Sequence, residues 1–189
     1  MITRRLLLAA TAALCLFTAP ALAADTMTIE LKDGPVTIEL RSDLAPNHVE
    51  QIKALVTSGA YNGVVFHRVI DGFMAQTGDV KFGNLDKGGD LASAGMGSSD
   101  LPDIAAEFTD KAKFERGTVG MARSSSPDSA NSQFFIMFAP APNLDGQYTI
   151  IGQVTDGMER VDAITKGDGG NNGSVANPDK MISVKLGTN

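Results

Sequence analysis

Residues 66–79 read Phe-His-Arg-Val-Ile-Asp-Gly-Phe-Met-Ala-Gln-Thr-Gly-Asp and bring Arg68, Gln76 and the pair Phe73–Met74 close together along the chain. No nucleophile, metal-ligand cluster or phosphate-binding loop accompanies them. A fixed cation, a primary amide and an apolar wall suit a reaction in which no covalent bond is made or broken. Rotation about a prolyl peptide bond is such a reaction.

The demands of that rotation match these residue types. Delocalisation of the nitrogen lone pair sets a barrier of ~18–20 kcal/mol, and X–Pro exchange takes tens to hundreds of seconds. Twisting the bond makes the prolyl nitrogen pyramidal and basic. A donor aimed at that nitrogen binds the twisted state and not the planar one, which is catalysis by differential binding. Arginine keeps its charge and presents several donors from a rigid plane. An acceleration of about five decades needs roughly 7 kcal/mol. One charge-assisted hydrogen bond supplies ~1.5–3 kcal/mol of it. An apolar pocket that holds the ring and excludes water, with groups that fix the substrate backbone, supplies the remainder.

These groups need a scaffold, and the chain's periodicity describes one. Thr26–Lys32 and Val36–Arg41 alternate apolar and polar residues around the turn signal Asp33-Gly34, predicting a hairpin. Ala45-Pro46 opens a helix with Val49, Ile52, Leu55 and Val56 on one face, and Gly59 ends it. This reading puts His48 on the exposed side, without a role. Short apolar runs follow at Val64–Val69, Phe73–Gln76, Gly117–Ala122, Gln133–Phe138 and Tyr148–Val154. A second helix is predicted from Gly157 to Lys166 and a last strand from Met181 to Leu186. Many short strands with two helices suggest a mainly β domain, a closed antiparallel barrel. Lys81–Asp103 and Gly167–Pro178, rich in Gly, Asp, Ser or Asn, read as surface loops.

The N-terminus reads as an export signal. Arg4 and Arg5 precede the apolar run Leu6–Phe17, and Ala21-Leu22-Ala23 offers a cleavage site, so residues 1–23 are expected to be removed. The remaining domain, 24–189, is expected in the periplasm, with general secretion as the route. The only cysteine, Cys15, leaves with the signal, so the mature domain has neither disulfide nor thiol chemistry. Loss of Arg4 and Arg5 from 16 basic residues, against 22 acidic ones, moves the net charge from −6 to −8. An acidic chain without a basic run suits neither nucleic acid nor an anionic membrane face. A monomer is expected, because no apolar stripe is left over.

Several motifs agree with one family. Phe66–Asp79 resembles the signature of the cyclophilins, the cyclosporin-binding peptidyl-prolyl isomerases. Phe114–Arg123 (Phe-Glu-Arg-Gly-Thr-Val-Gly-Met-Ala-Arg), Asn131–Ile136 (Asn-Ser-Gln-Phe-Phe-Ile), Leu144-Asp145-Gly146 and Ile151-Gly152-Gln153-Val154 follow in that family's order. Met-Ala-Arg, with few insertions, resembles the bacterial, periplasmic branch. The resemblance implies a closed eight-stranded antiparallel β-barrel capped by two α-helices, with the site on its outer face. It implies a catalytic set of Arg68, Gln76 and Phe73, with Arg68 stabilising the twisted amide and Gln76 binding the substrate backbone. Phe73, Met74, Phe135 and Leu144 would wall the proline pocket. Ala122 and Arg123 would pair with residues before proline, Gln133 and Tyr148 would line the rim, and His67 would support the site. The partners implied are proline-containing peptides and unfolded or partly folded exported proteins. No cofactor or metal is implied.

The chain departs from the pattern at three places. Asn143 stands where many eukaryotic members carry a tryptophan, which weakens the case for cyclosporin binding. Tyr148 replaces their histidine, and Arg123–Ser129 is one residue longer. Two other functions compete. A proline-segment binding module or holdase with incidental turnover would use the same groove but has no need of Arg68. A serine hydrolase at Ser124-Ser125-Ser126 lacks a nucleophile elbow. Asp168–Gly173 lacks the spaced carboxylates of a calcium loop.

Overall fold

A computed structural model describes residues 25–188, and the side chains of 25–187. Residues 1–23, expected from the sequence to be an export signal, lie outside the described residues.

β1 (Asp25–Leu31) and β2 (Gly34–Leu40) form the expected hairpin, paired from Thr26–Glu39 to Leu31–Gly34. Their inward residues Met27, Ile29, Leu31, Val36, Ile38 and Leu40 are buried, as period-two alternation requires. α1 (Pro46–Thr57) begins with Pro46 in its first turn. It ends in a Schellman pair, Ala60 N–H to Leu55 O at 3.0 Å and Gly59 N–H to Val56 O at 2.9 Å. Gly59 takes φ 71°, a conformation that glycine adopts without a Cβ penalty.

The first turn of α1 corrects the reading of His48. The residue at the N-cap position, Ala45, has no side chain to cap with. Glu107, far along the chain, caps instead: it accepts from the N–H of Asn47 at 3.1 Å and of His48 at 3.0 Å. His48 Nδ1 lies 2.5 Å from the same carboxylate, and the imidazole is fully buried. Burial pushes the Glu107 carboxyl up, but the His48 side chain and the two backbone N–H groups outweigh it and hold it below its ordinary value.

β3 (Arg68–Ile70), β4 (Met74–Thr77), β5 (Thr118–Met121), β6 (Phe134–Met137), β7 (Ile150–Asp156) and β8 (Ser183–Thr188) complete one antiparallel sheet. Its order is β3-β4-β6-β5-β7-β2-β1-β8. α2 (Met158–Asp162) is shorter than predicted. Lys166 Nζ turns back onto the carbonyls of Asp162 and Ile164, so a side chain rather than another helical turn satisfies them.

The sheet is an open, curled half-barrel and not a closed barrel. β3 and β8 are its two edges and share no ladder. Single contacts occupy the seam: bridges Val65–Lys180 and Arg68–Ser174, and bonds Phe66 N–H to Asp179 O and Val69 N–H to Gly173 O, both 2.8 Å. β3 has only three residues. The chain facing it is a glycine-rich loop ending in Pro178, which has no N–H to give to a ladder.

The curled sheet leaves two apolar clusters. The larger fills its concave side and includes Val119, Phe134 and Ile136 with the inward face of α1. The smaller contains Met74, Phe114, Phe135, Met137 and Leu144, with Phe73, Ala122 and Tyr148 packed against it. Phe134 and Phe135 therefore enter different clusters, because neighbours on a strand point to opposite faces.

Candidate active site

One cross-strand row builds the site. Arg68 pairs with Gln76, Gln76 with Phe135, and Phe135 with Gly120. Residues directly opposite in antiparallel strands share a face. The register therefore lines up a cation, an amide, an aromatic ring and a residue without a side chain. The next row on that face pairs Ile70 with Met74 and Met74 with Met137, adding apolar surface.

The polar end of the row is a chain of hydrogen bonds. Arg68 Nη1 donates to Gln76 Oε1 at 3.1 Å, and Gln76 Nε2 donates to Gln133 Oε1 at 3.0 Å. Gln133 Nε2 then donates to the carbonyls of Gly95 and Gly97, at 3.0 and 2.8 Å. The arginine thus dictates the orientation of both amides, since each must turn its oxygen toward the preceding donor. On its other side Arg68 is held by Asn172, Nε to the backbone O and Nη2 to Oδ1, each at 3.0 Å. Burial lowers the guanidinium pKa, opposed by Tyr148 nearby, yet arginine starts so high that it stays charged.

The apolar end is a set of packed rings. Phe135 stacks on Phe114 with centroids 5.8 Å apart and 21° between planes. Tyr148 meets Phe135 edge-on, also at 5.8 Å, and the Arg123 guanidinium lies 4.4 Å from the Tyr148 centroid. Met74 reaches back to the cation, its Sδ 3.9 Å from Arg68 Nη1. Leu144 sits on the turn Pro142–Leu144. A recess of about 340 Å³ beside this cluster is lined by Gln76, Met96, Ala122, Arg123, Asn131 and Gln133, among others.

The structure brings Arg68, Phe73, Met74, Gln76, Ala122, Arg123, Gln133, Phe135, Leu144 and Tyr148 to this one region. His67 differs: it lies under the site, buried, with neither ring nitrogen hydrogen-bonded among the described residues. Burial lowers its pKa and the Arg68 charge adds to this, while Asp79 opposes.

Four features escaped sequence reasoning. Asn172 holds Arg68 from the loop before β8. Gly95-Met96-Gly97, read as plain surface loop, borders the recess, and Met96 there is 75% exposed. Buried Asp79 clamps that turn, with Oδ2 accepting from Gly95 N–H at 2.7 Å and Gly97 N–H at 2.9 Å. Phe114 backs Phe135. Asn172-Gly173 carried a local signal as a turn dipeptide, while Asp79 and Phe114 stood at the ends of quoted motifs without a role of their own.

Residues 26–186 match the family described as cyclophilin type peptidyl-prolyl cis-trans isomerase/CLD. The chain belongs to this family. The isomerase is 63% identical over 162 residues to a probable peptidyl-prolyl cis-trans isomerase of Brucella suis, a match covering 86% of this chain and 82% of that one. It is 39% identical over 140 residues to peptidyl-prolyl cis-trans isomerase 10 of Caenorhabditis elegans, covering 74% and 81%. Among solved structures, a Cryptosporidium parvum cyclophilin type isomerase, crystallised in the presence of the dipeptide Ala-Pro, superposes with a TM-score of 0.73 at 25% identity. That match covers 87% of this chain and 99% of the other. The cyclophilin AquaCyp293 of Hirschia baltica gives 0.68 at 26% identity, over 85% and 73%. The protein is a peptidyl-prolyl cis-trans isomerase, an enzyme of the cyclophilin type.

Proposed function

We propose that Arg68 is the donor to the twisted prolyl nitrogen and that the isomerase acts on exported proteins in the periplasm. The observation that carries the first part is the guanidinium held at the border of the cluster of Met74, Phe135 and Leu144. A proline ring seated against Phe73, Met74, Phe135 and Leu144 would place its nitrogen beside the one cation that the row supplies. Gln76 keeps one N–H and one lone pair beyond its bonds to Arg68 and Gln133, enough to bind a substrate amide. Ala122 and Arg123 lie beside the recess, where the residues before proline would extend.

Twisting moves the prolyl lone pair out of conjugation, and the Arg68 N–H then donates to it. The proton need not transfer, so no acid or base has to be tuned to the working pH. The groove also suits proline segments held without turnover, but the oriented donor favours catalysis. Arg4-Arg5, the run Leu6–Phe17 and Ala21-Leu22-Ala23 support export and cleavage.

The test is two-dimensional exchange NMR on an Ala-Pro peptide, with residues 24–189 in catalytic amount. Arg68→Ala is expected to slow exchange by about a hundredfold or more. Equal exchange with both proteins would remove Arg68 from the mechanism. Unchanged function in cells with the Arg68→Ala protein would favour the binding reading. An N-terminus at Ala24 in periplasmic protein would establish export with cleavage; an intact Met1 would refute the cleavage, and protein confined to the cytoplasm would refute export.

A further inference from the structure

Asn172 is the only non-glycine residue with positive φ among the described residues, at φ 51°. A left-handed conformation is costly for most side chains, and asparagine tolerates it best after glycine. The bend is set by local bonds. Asp168 caps the short turn Gly169–Asn171 by accepting from Gly170 N–H at 2.8 Å, and Gly173 N–H donates to Asp168 O at 2.9 Å. The loop is joined to β3 by Val69 N–H to Gly173 O and Gly167 N–H to Val69 O, both 2.8 Å.

This bend points two acceptors of one residue at one guanidinium. The Asn172 backbone oxygen takes Arg68 Nε and its side-chain Oδ1 takes Nη2, each at 3.0 Å. Gln76 Oε1 takes Nη1 from the opposite side. Three acceptors, one on each guanidinium nitrogen, fix the rotation of the guanidinium about its own stem as well as its position. With Gln76 alone, the plane could turn about the Nη1 bond and sweep its remaining donors away from the pocket. Asn172 also leaves the cation uncompensated, since an amide holds a guanidinium without cancelling its charge. A carboxylate there would hold the plane but weaken the donor's field.

We propose that Asn172 is a positioning residue for the isomerase reaction, acting through Arg68 by locking the guanidinium plane toward the prolyl nitrogen. This rests on the reading of Arg68 as the donor. It assigns catalytic weight to the loop 167–174, which the strand pattern leaves as a connection.

Asn172→Gly tests it, because glycine accepts the positive φ and keeps the backbone carbonyl on Nε, while loss of the side chain removes the Oδ1 acceptor from Nη2. In exchange NMR with an Ala-Pro peptide, kcat is expected to fall about tenfold, since misplacement of a reacting group lowers rate rather than binding. The peptide Kd should stay within about twofold, because the apolar pocket is untouched. The Arg68 Nη signals are expected to be resolved in wild type, through hindered rotation about Nε–Cζ, and to merge in the variant. Any of three results overturns the proposal: kcat near wild type, a fall matched by a rise in Kd, or a fall with the Nη signals still resolved. Arg68→Ala run alongside separates the two readings. If it retains full activity, the Arg68 reading itself fails. If it is inactive while Asn172→Gly is not, only the role of Asn172 fails.

Discussion

Gly120 and Phe135 face each other across β5 and β6 so closely that a methyl group on Gly120 would lie 2.6 Å from Cζ of Phe135. The same methyl would lie 2.6 Å from Cε1 of Phe114. Both atoms belong to rigid rings already stacked on one another. The bare glycine is what leaves room for the stacked rings of Phe135 and Phe114 beside the site.

Gly120→Ala should therefore damage pocket and fold together. Overpacking at a buried position costs about 1–3 kcal/mol. Urea denaturation should register that loss, and exchange NMR should show reduced kcat/KM as the Phe135 ring is displaced. Unchanged stability with full activity would mean that the rings have room that the structure does not display.

Gln76→Ala removes one acceptor from Arg68 and one donor to Gln133. A hydrogen bond to a charged group contributes ~1.5–3 kcal/mol, so kcat/KM should fall at least tenfold. Unlike Asn172→Gly, this variant should also release Gln133 and the turn Gly95–Gly97. Backbone amide exchange at Gly95 and Gly97 would report that release, and its absence would show that Asp79 alone holds the turn.

His67 gives the fold a pH dependence. Its folded pKa lies below the ordinary value, mainly through burial. As pH falls through the ordinary histidine range, the unfolded chain takes up a proton that the native state refuses. Stability is then full above that range, declines as pH falls through it, and levels off below the folded pKa. The slope from this one group is at most about 1.4 kcal/mol per pH unit. Urea unfolding from pH 7.5 to 5.5 should show the decline, and His67→Phe should flatten it. Equal slopes in both proteins would assign the effect to another group.

Glu107→Ala should uncap α1 and strand buried His48. Losing the acceptor of two backbone N–H groups and an imidazole is expected to cost about 1–3 kcal/mol. The carboxyl's lowered pKa means that its contribution is present above the ordinary glutamate range and lost as pH falls through the folded value. Acid unfolding of wild type and variant should therefore converge at low pH, and a constant gap would exclude the ionised form as the cap.

What the sequence determined by itself is local or periodic. Alternation placed the hairpin and separated Phe134 from Phe135, because a strand's period of two needs no knowledge of its neighbours. Proline and glycine marked the ends of α1 for reasons confined to one backbone torsion. The nearness of Arg68, Gln76, Phe73 and Met74 was legible because they share one short segment, whereas the convergence of Gln133, Phe135 and Leu144 on them was an expectation from the order of their motifs. Tertiary structure alone decided what depends on the paths of distant loops. Asn172 meets Arg68 across 104 positions of chain, and Glu107 meets His48 across 59. Neither pair leaves a trace in spacing or periodicity, since loop geometry and not residue type brings the atoms together. The open seam between β3 and β8 has the same origin. Strand count and alternation cannot tell whether the last ladder closes, because that depends on which backbone groups a proline- and glycine-rich loop has left to offer.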